Sequence, residues 1–198
     1  MSKRRLEAFS DGVIAILITI MVLELHTPDG TTWHALRHEL PALLTYVLSF
    51  VYLGIYWNNH HHMLATVSRV SGGVLWANLH LLFWLSLIPF STAWMSDHRF
   101  PPVPTAFYGI VLLAASIAYL ILQTALLRAE GDESALRAAI GSDFKGKISP
   151  VLYCLGIAMT FANRWVGLAI YVGVALIWLV PDRRVERNLA TAPAGPSE

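Results

Sequence analysis

The run Arg5-Leu6-Glu7-Ala8-Phe9-Ser10-Asp11-Gly12 leads straight into Val13-Ile14-Ala15-Ile16-Leu17-Ile18-Thr19-Ile20-Met21-Val22-Leu23. Asp11 therefore stands a turn or more inside an apolar segment, where a charge is costly and seldom idle. His60-His61-His62, Asn78 and His80 are further polar groups in apolar surroundings. Such residues can relay protons, hold a ligand, bind a metal or lock helices together. Adjacent helical residues point about 100° apart, so the three consecutive histidines cannot converge on one ion without recruiting Asp11 or His80. Neither the second nor the third apolar segment pairs a His-x-x-x-His with a nearby carboxylate, so no metal is expected. Ser10 has no nucleophile elbow or oxyanion loop around it, and Cys154 is the one cysteine. Nothing here points to an enzyme or to a cofactor.

The elements that must position these groups are membrane helices. Of 198 residues, 56% are hydrophobic and only 14% charged, against about 25% charged in soluble domains. A soluble chain of this size lacks the polar surface to cover so much apolar area. A net charge of +1 supplies no field for nucleic acid. About 20 apolar residues span a bilayer, and six stretches approach that: 6–25, 41–63, 72–95, 104–127, 148–162 and 165–180. The last two are short, and a five-span count in which they form one bent hairpin is the alternative. The polar stretch 128–147 reads as a loop with a short surface helix around Ser134 to Ile140. Residues 1–183 form one transmembrane domain, and 184–198 a disordered cytoplasmic tail.

With six spans and both termini on one side, that side carries eleven of the fourteen basic residues, leaving Arg37, Arg99 and Arg164 on the other. This bias places both termini in the cytoplasm and the chain in the cell membrane as a multi-pass protein. The Lys3-Arg4-Arg5 start imitates a signal peptide. No small-x-small cleavage pattern follows, so a retained helix is expected.

A helical wheel at about 100° per residue divides the first helix into two faces. Phe9, Gly12, Ile16, Thr19, Ile20 and Leu23 fall on one stripe, while Ser10 and Asp11 point largely away from it. A ring of such stripes would make a narrow pore gated by excluding water; an ordinary packing face is the plainer reading. Behind the stripe, Ser10 and Asp11 can meet one of the histidines, Asn78 and His80 in a single buried network. That network either locks helices or relays protons.

The motif Arg5-x-x-x-Phe9-Ser10-Asp11 resembles the R-x-x-x-F-S-D signature of the endolysosomal potassium channel family and its bacterial relatives. Tyr56-Trp57-Asn58-Asn59-His60-His61 and Asn78-Leu79-His80-Leu81-Leu82-Phe83-Trp84-Leu85-Ser86-Leu87-Ile88-Pro89-Phe90 are similar to that family as well. The likeness is strong through about residue 95 and beyond it rests on hydropathy. It implies an all-α polytopic channel of six transmembrane helices per subunit, with the first helix lining a central pore. It also implies that Ile16 forms the constriction, that Ile20 and Leu23 add apolar layers, and that Thr19 carries the hydroxyl tied to selectivity. Arg5, Phe9, Ser10, Asp11 and His80 would bind the helices together. One repeat per chain implies a homotetramer, with potassium as permeant ion. No T-V-G-Y-G filter is present, so carbonyl rings of that type are not the selectivity device. The resemblance to a single-repeat bacterial type implies weak to moderate selectivity among monovalent cations.

The reading is therefore a passive, potassium-permeable channel. The competing reading is a proton-coupled small-solute transporter with Asp11 and His80 as its titrating pair.

Overall fold

The computed structural model describes residues 2–131, 137 and 143–179. Among these, all regular structure is helical: α1 Lys3–Leu23, α2 Trp33–Ala65, α3 Gly72–Ser86, α4 Ile88–Asp97, α5 Pro102–Glu130, α6 Phe144–Ala162 and α7 Arg164–Leu179. The fold is an all-α, multi-pass membrane architecture. The predicted tail and most of the predicted surface helix around Ser134 to Ile140 lie outside the described residues.

Two boundaries differ markedly from the hydropathy reading, one through polar residues ahead of a proline and one at a proline. α2 begins eight residues before Pro41, where Thr32 caps it by accepting a hydrogen bond from the Ala35 amide at 3.2 Å. The turns before Pro41 contain His34, Arg37, His38 and Glu39 and are too polar to register as a span. The helix continues through Pro41, and the Thr45 hydroxyl donates to the Pro41 and Ala42 carbonyls. The third span breaks into α3 and α4 at Leu87, just before Pro89. A proline there has no N–H to donate, and its ring crowds the carbonyl four residues back. The two pieces still run as one 26-residue crossing, Gly72–Asp97.

α1, α2, the α3–α4 unit and α5 are each long and apolar enough to cross a bilayer. α6 and α7 are separate helices of 19 and 16 residues, about 28 and 24 Å long at 1.5 Å per residue. Asn163 makes the corner between them, its side-chain oxygen accepting from the Trp165 amide. α7 is a shorter apolar helix, and the two helices pack on each other as a hairpin.

α5 packs on α3 and α6, and α6 packs on α7. The core between these helices and α2 is unusually rich in tyrosine: Tyr52, Tyr108, Tyr153 and Tyr171 are all fully buried. The hydroxyls of Tyr52 and Tyr108 are satisfied locally, as burial requires. The Tyr52 hydroxyl donates to the Tyr171 carbonyl at 2.5 Å, and Ser49 lies 3.0 Å from the Tyr108 hydroxyl and 2.6 Å from that of Thr92. Glu130 closes the opposite end of the unit, accepting from the Ser68 and Arg69 amides at 2.6 Å each. α1 stands at one side and packs on α2, α3 and α4.

Candidate pore face and its supporting network

α1 buries one face and leaves the other without a partner. Leu6, Ser10, Ile14, Leu17 and Met21 recur at three- and four-residue spacing and are buried, which is the pattern of a helix held along one stripe. The opposite side carries Phe9, Gly12, Ile16, Thr19, Ile20 and Leu23, all exposed in the single chain. Ile16 is 57% exposed and Leu23 80%, too much apolar surface to leave to water. The Thr19 hydroxyl donates to the Ile16 carbonyl at 2.9 Å. Its oxygen lone pairs therefore remain free to face outward.

The polar residues behind this face form two separate groups instead of the single expected network. In the first, buried group, Asn78 links three helices. Its amide donates to the Ser10 hydroxyl at 2.9 Å, and its carbonyl oxygen lies 2.8 Å from His60 Nε2. Ser10 in turn donates to the Leu6 carbonyl at 2.9 Å. Because the Asn78 oxygen only accepts, His60 carries its proton on Nε2. Ser10, Asn78 and His60 are all fully buried.

The second group lies nearer the surface. Trp57 Nε1 donates to Asp11 at 3.0 Å, and His61 Nδ1 lies 3.2 Å from the Glu7 carboxylate while stacking on Trp57. Ser10 and Asp11 point about 100° apart on α1, so Ser10 meets α3 and Asp11 meets α2. Trp57 is the partner that sequence reasoning missed. The signal was a matched spacing: Glu7 and Asp11 on α1 mirror Trp57 and His61 on α2, each pair four residues apart and hence on one face.

His80 joins neither group, contrary to expectation. It lies about 200° around α3 from Asn78, so both cannot face α1. His80 is exposed and accepts a 2.9 Å hydrogen bond from Trp84 Nε1. Arg5 is also exposed, and Phe9 is 49% exposed, so neither binds helices together within one chain. Asp11 and His80 are hydrogen-bonded to different partners, Trp57 and Trp84. Among the described residues, no three His, Cys, Asp or Glu side chains are grouped as a metal site.

Residues 5–89, which begin at the motif arginine and end at the Pro89 break, match the model of the family described as "Endosomal/lysosomal potassium channel TMEM175". A potassium channel from Chryseobacterium sp. (strain P1-3) is 54% identical over 189 residues, covering 96% of this chain and 98% of that one. The chain belongs to the TMEM175 family. A potassium channel from Streptomyces collinus is 31% identical over 204 residues, covering 96% of this chain and 98% of the relative. The crystal structure of a lysosomal potassium-selective channel TMEM175 homolog from Chamaesiphon minutus superposes with a TM-score of 0.77 at 27% identity, covering 92% of this chain and 97% of the other.

Proposed function

We propose that this protein is a passive, potassium-permeable channel whose ion path is lined by α1 from several copies of the chain. The observation that carries the reading is the unpartnered α1 stripe of Phe9, Gly12, Ile16, Thr19, Ile20 and Leu23, held outward by a back face anchored on three other helices. The potassium channel names of the bacterial relatives and the potassium-selective homolog agree with this chemistry. Four copies around one axis make a homotetramer in the cell membrane, with α6 and α7 as the fifth and sixth spans. The basic bias of the loops puts both termini in the cytoplasm.

Ile16 forms the constriction, and Ile20 and Leu23 extend the apolar path toward the other mouth. A narrow ring of isoleucine side chains offers no hydrogen bonds to water, so it holds back ions until it dilates or dewetting is relieved. Thr19 lies next to this ring with its oxygen lone pairs outward and completes part of an ion's hydration shell. The protein has no catalytic step and needs no cofactor. A proton-coupled transporter would require Asp11 and His80 to exchange protons along the path, and they are hydrogen-bonded to Trp57 and Trp84 instead.

Potassium flux into liposomes tests the reading. Ile16→Asn is expected to raise flux severalfold by hydrating the constriction. If Ile16→Asn and Leu23→Asn both leave flux at the starting level, the α1 pore is wrong.

A further inference from the structure

α1 carries charge at both ends in the sense that reinforces its dipole. A helix has partial positive charge at its N-terminus and partial negative charge at its C-terminus, and acidic residues ordinarily gather at the first end and basic residues at the last. The first turn of α1 is Lys3-Arg4-Arg5 with no acid, and the last turn has no base. Glu24 follows immediately as the C-cap, in helical conformation and exposed. The basic first turn has its reason in membrane orientation, but an acid at the C-terminal end works against the stability of the helix and calls for a reason outside it.

The positions supply one. At about 100° per residue, Glu24 lies about 40° from Ile20 and about 80° from Ile16, at the rim of the outward stripe. It follows Leu23, the most exposed large apolar side chain on that stripe. Glu24 borders a small cleft with Tyr46, Thr92 and Ser96, residues that bring no counter-charge. The arginine of the neighbouring loop, Arg99, donates to His38 at 3.0 Å, and His26 and Asp29 follow Glu24 in the exposed turn. At the other end, the acids Glu7 and Asp11 lie about 180° and 140° from Ile16 and face α2. The basic first turn is thus left to dominate that mouth.

We propose that Glu24 forms an acidic ring at the C-terminal mouth of the α1 pore and, opposite the basic N-terminal turn, makes cation conduction asymmetric. Ions enter more readily from the Glu24 end. The proposal rests on the α1 pore reading and adds to it the residue that sets the direction of easier flow. A ring of four carboxylates set about one screening length from the axis, about 8 Å at 0.15 M salt, would raise the local cation concentration about threefold. At 1 M the screening length is about 3 Å, and the enrichment falls to about 1.3-fold. With both termini cytoplasmic, the favoured direction is inward.

Excised patches from cells expressing the full chain test this, because every channel then has one orientation. In symmetrical 0.15 M KCl the wild type is expected to pass about threefold more current inward than outward at equal and opposite voltages. The asymmetry should fade in 1 M KCl, shrink in Glu24→Gln and Arg4→Gln, persist in Glu24→Asp and reverse in Glu24→Lys. Equal currents in the wild type at 0.15 M, or an asymmetry that Glu24→Gln leaves intact, would overturn the proposal. Ile16→Asn in the same patches separates the two readings. If it raises the current while Glu24→Gln changes nothing, the pore stands and the acidic ring falls; if it too is silent, both fall.

Discussion

Asn78 donates a 2.9 Å hydrogen bond to the Ser10 hydroxyl across the contact between α3 and α1. The same side chain accepts a 2.8 Å hydrogen bond from His60 Nε2 on α2. One amide thereby fixes the rotation of α1 about its axis against two neighbours, and that rotation decides which residues the outward stripe presents.

Replacing Asn78 by Leu removes both partners and strands the His60 N–H in the interior. A buried donor left unmade costs about 1–3 kcal/mol, so Asn78→Leu should lower the melting temperature of detergent-solubilised protein by several degrees. Ser10→Ala should cost less, about 1 kcal/mol. The two losses should be less than additive in the double variant, because they remove one shared contact.

Trp57→Phe removes the N–H given to Asp11 but keeps an aromatic ring against His61. The site is partly exposed, so the stability loss should be about 1 kcal/mol or less. Asp11→Asn keeps an acceptor oxygen for Trp57 and should preserve folding. If Asp11 serves to orient α1, Asp11→Asn should retain most of the flux and Asp11→Ala should lose it. Flux in proteoliposomes measured at equal reconstituted protein distinguishes these outcomes.

The hydrophobic sum made the bilayer, the first four crossings and the apolar stripe of α1 legible from residues alone. Hydropathy could not show that α2 starts at Trp33, because a helix emerging from the membrane is held by its cap and its neighbours and not by apolar content. The Pro89 break was written in the sequence, yet proline within a membrane helix is common enough that the residue alone does not place a break. At the site, the polar types were readable and their partners were not. Ser10 and Asp11 are adjacent in sequence, and only the packing of α2 and α3 shows that they serve different helices. The same holds for Asn78 and His80, two residues apart and on nearly opposite sides of α3.

Gly109 tests the packing of the subunit away from the pore. A methyl group there would run into the Tyr171 hydroxyl and reach 2.8 Å from Ile157 Cγ1. Overpacking of this kind costs about 1–3 kcal/mol. Gly109→Ala should therefore lower the melting temperature while leaving the ion preference of the folded channels unchanged. The reversal potential of the surviving current under potassium–sodium gradients reads the second half of that statement.

Thr19→Val keeps the shape of the side chain and deletes the hydroxyl. Because that hydroxyl sits on the exposed face and bonds only the Ile16 carbonyl, the fold should be unaffected within about 0.5 kcal/mol. The potassium-over-sodium permeability ratio should fall toward unity. An unchanged reversal potential would assign selectivity to another part of the path.

The most direct test of the α1 pore is the reach of water and ions to Ile16. In a Cys154→Ser background, Ile16→Cys channels in a planar bilayer are exposed to a small, positively charged thiol reagent. The current should fall irreversibly, faster when the channel is conducting, because the attached charge sits on the ion path. A Val51→Cys control on α2, away from the stripe, should be insensitive. A current at Ile16→Cys that the reagent leaves unchanged, with the thiol shown by mass to have reacted, would contradict conduction along this face of α1.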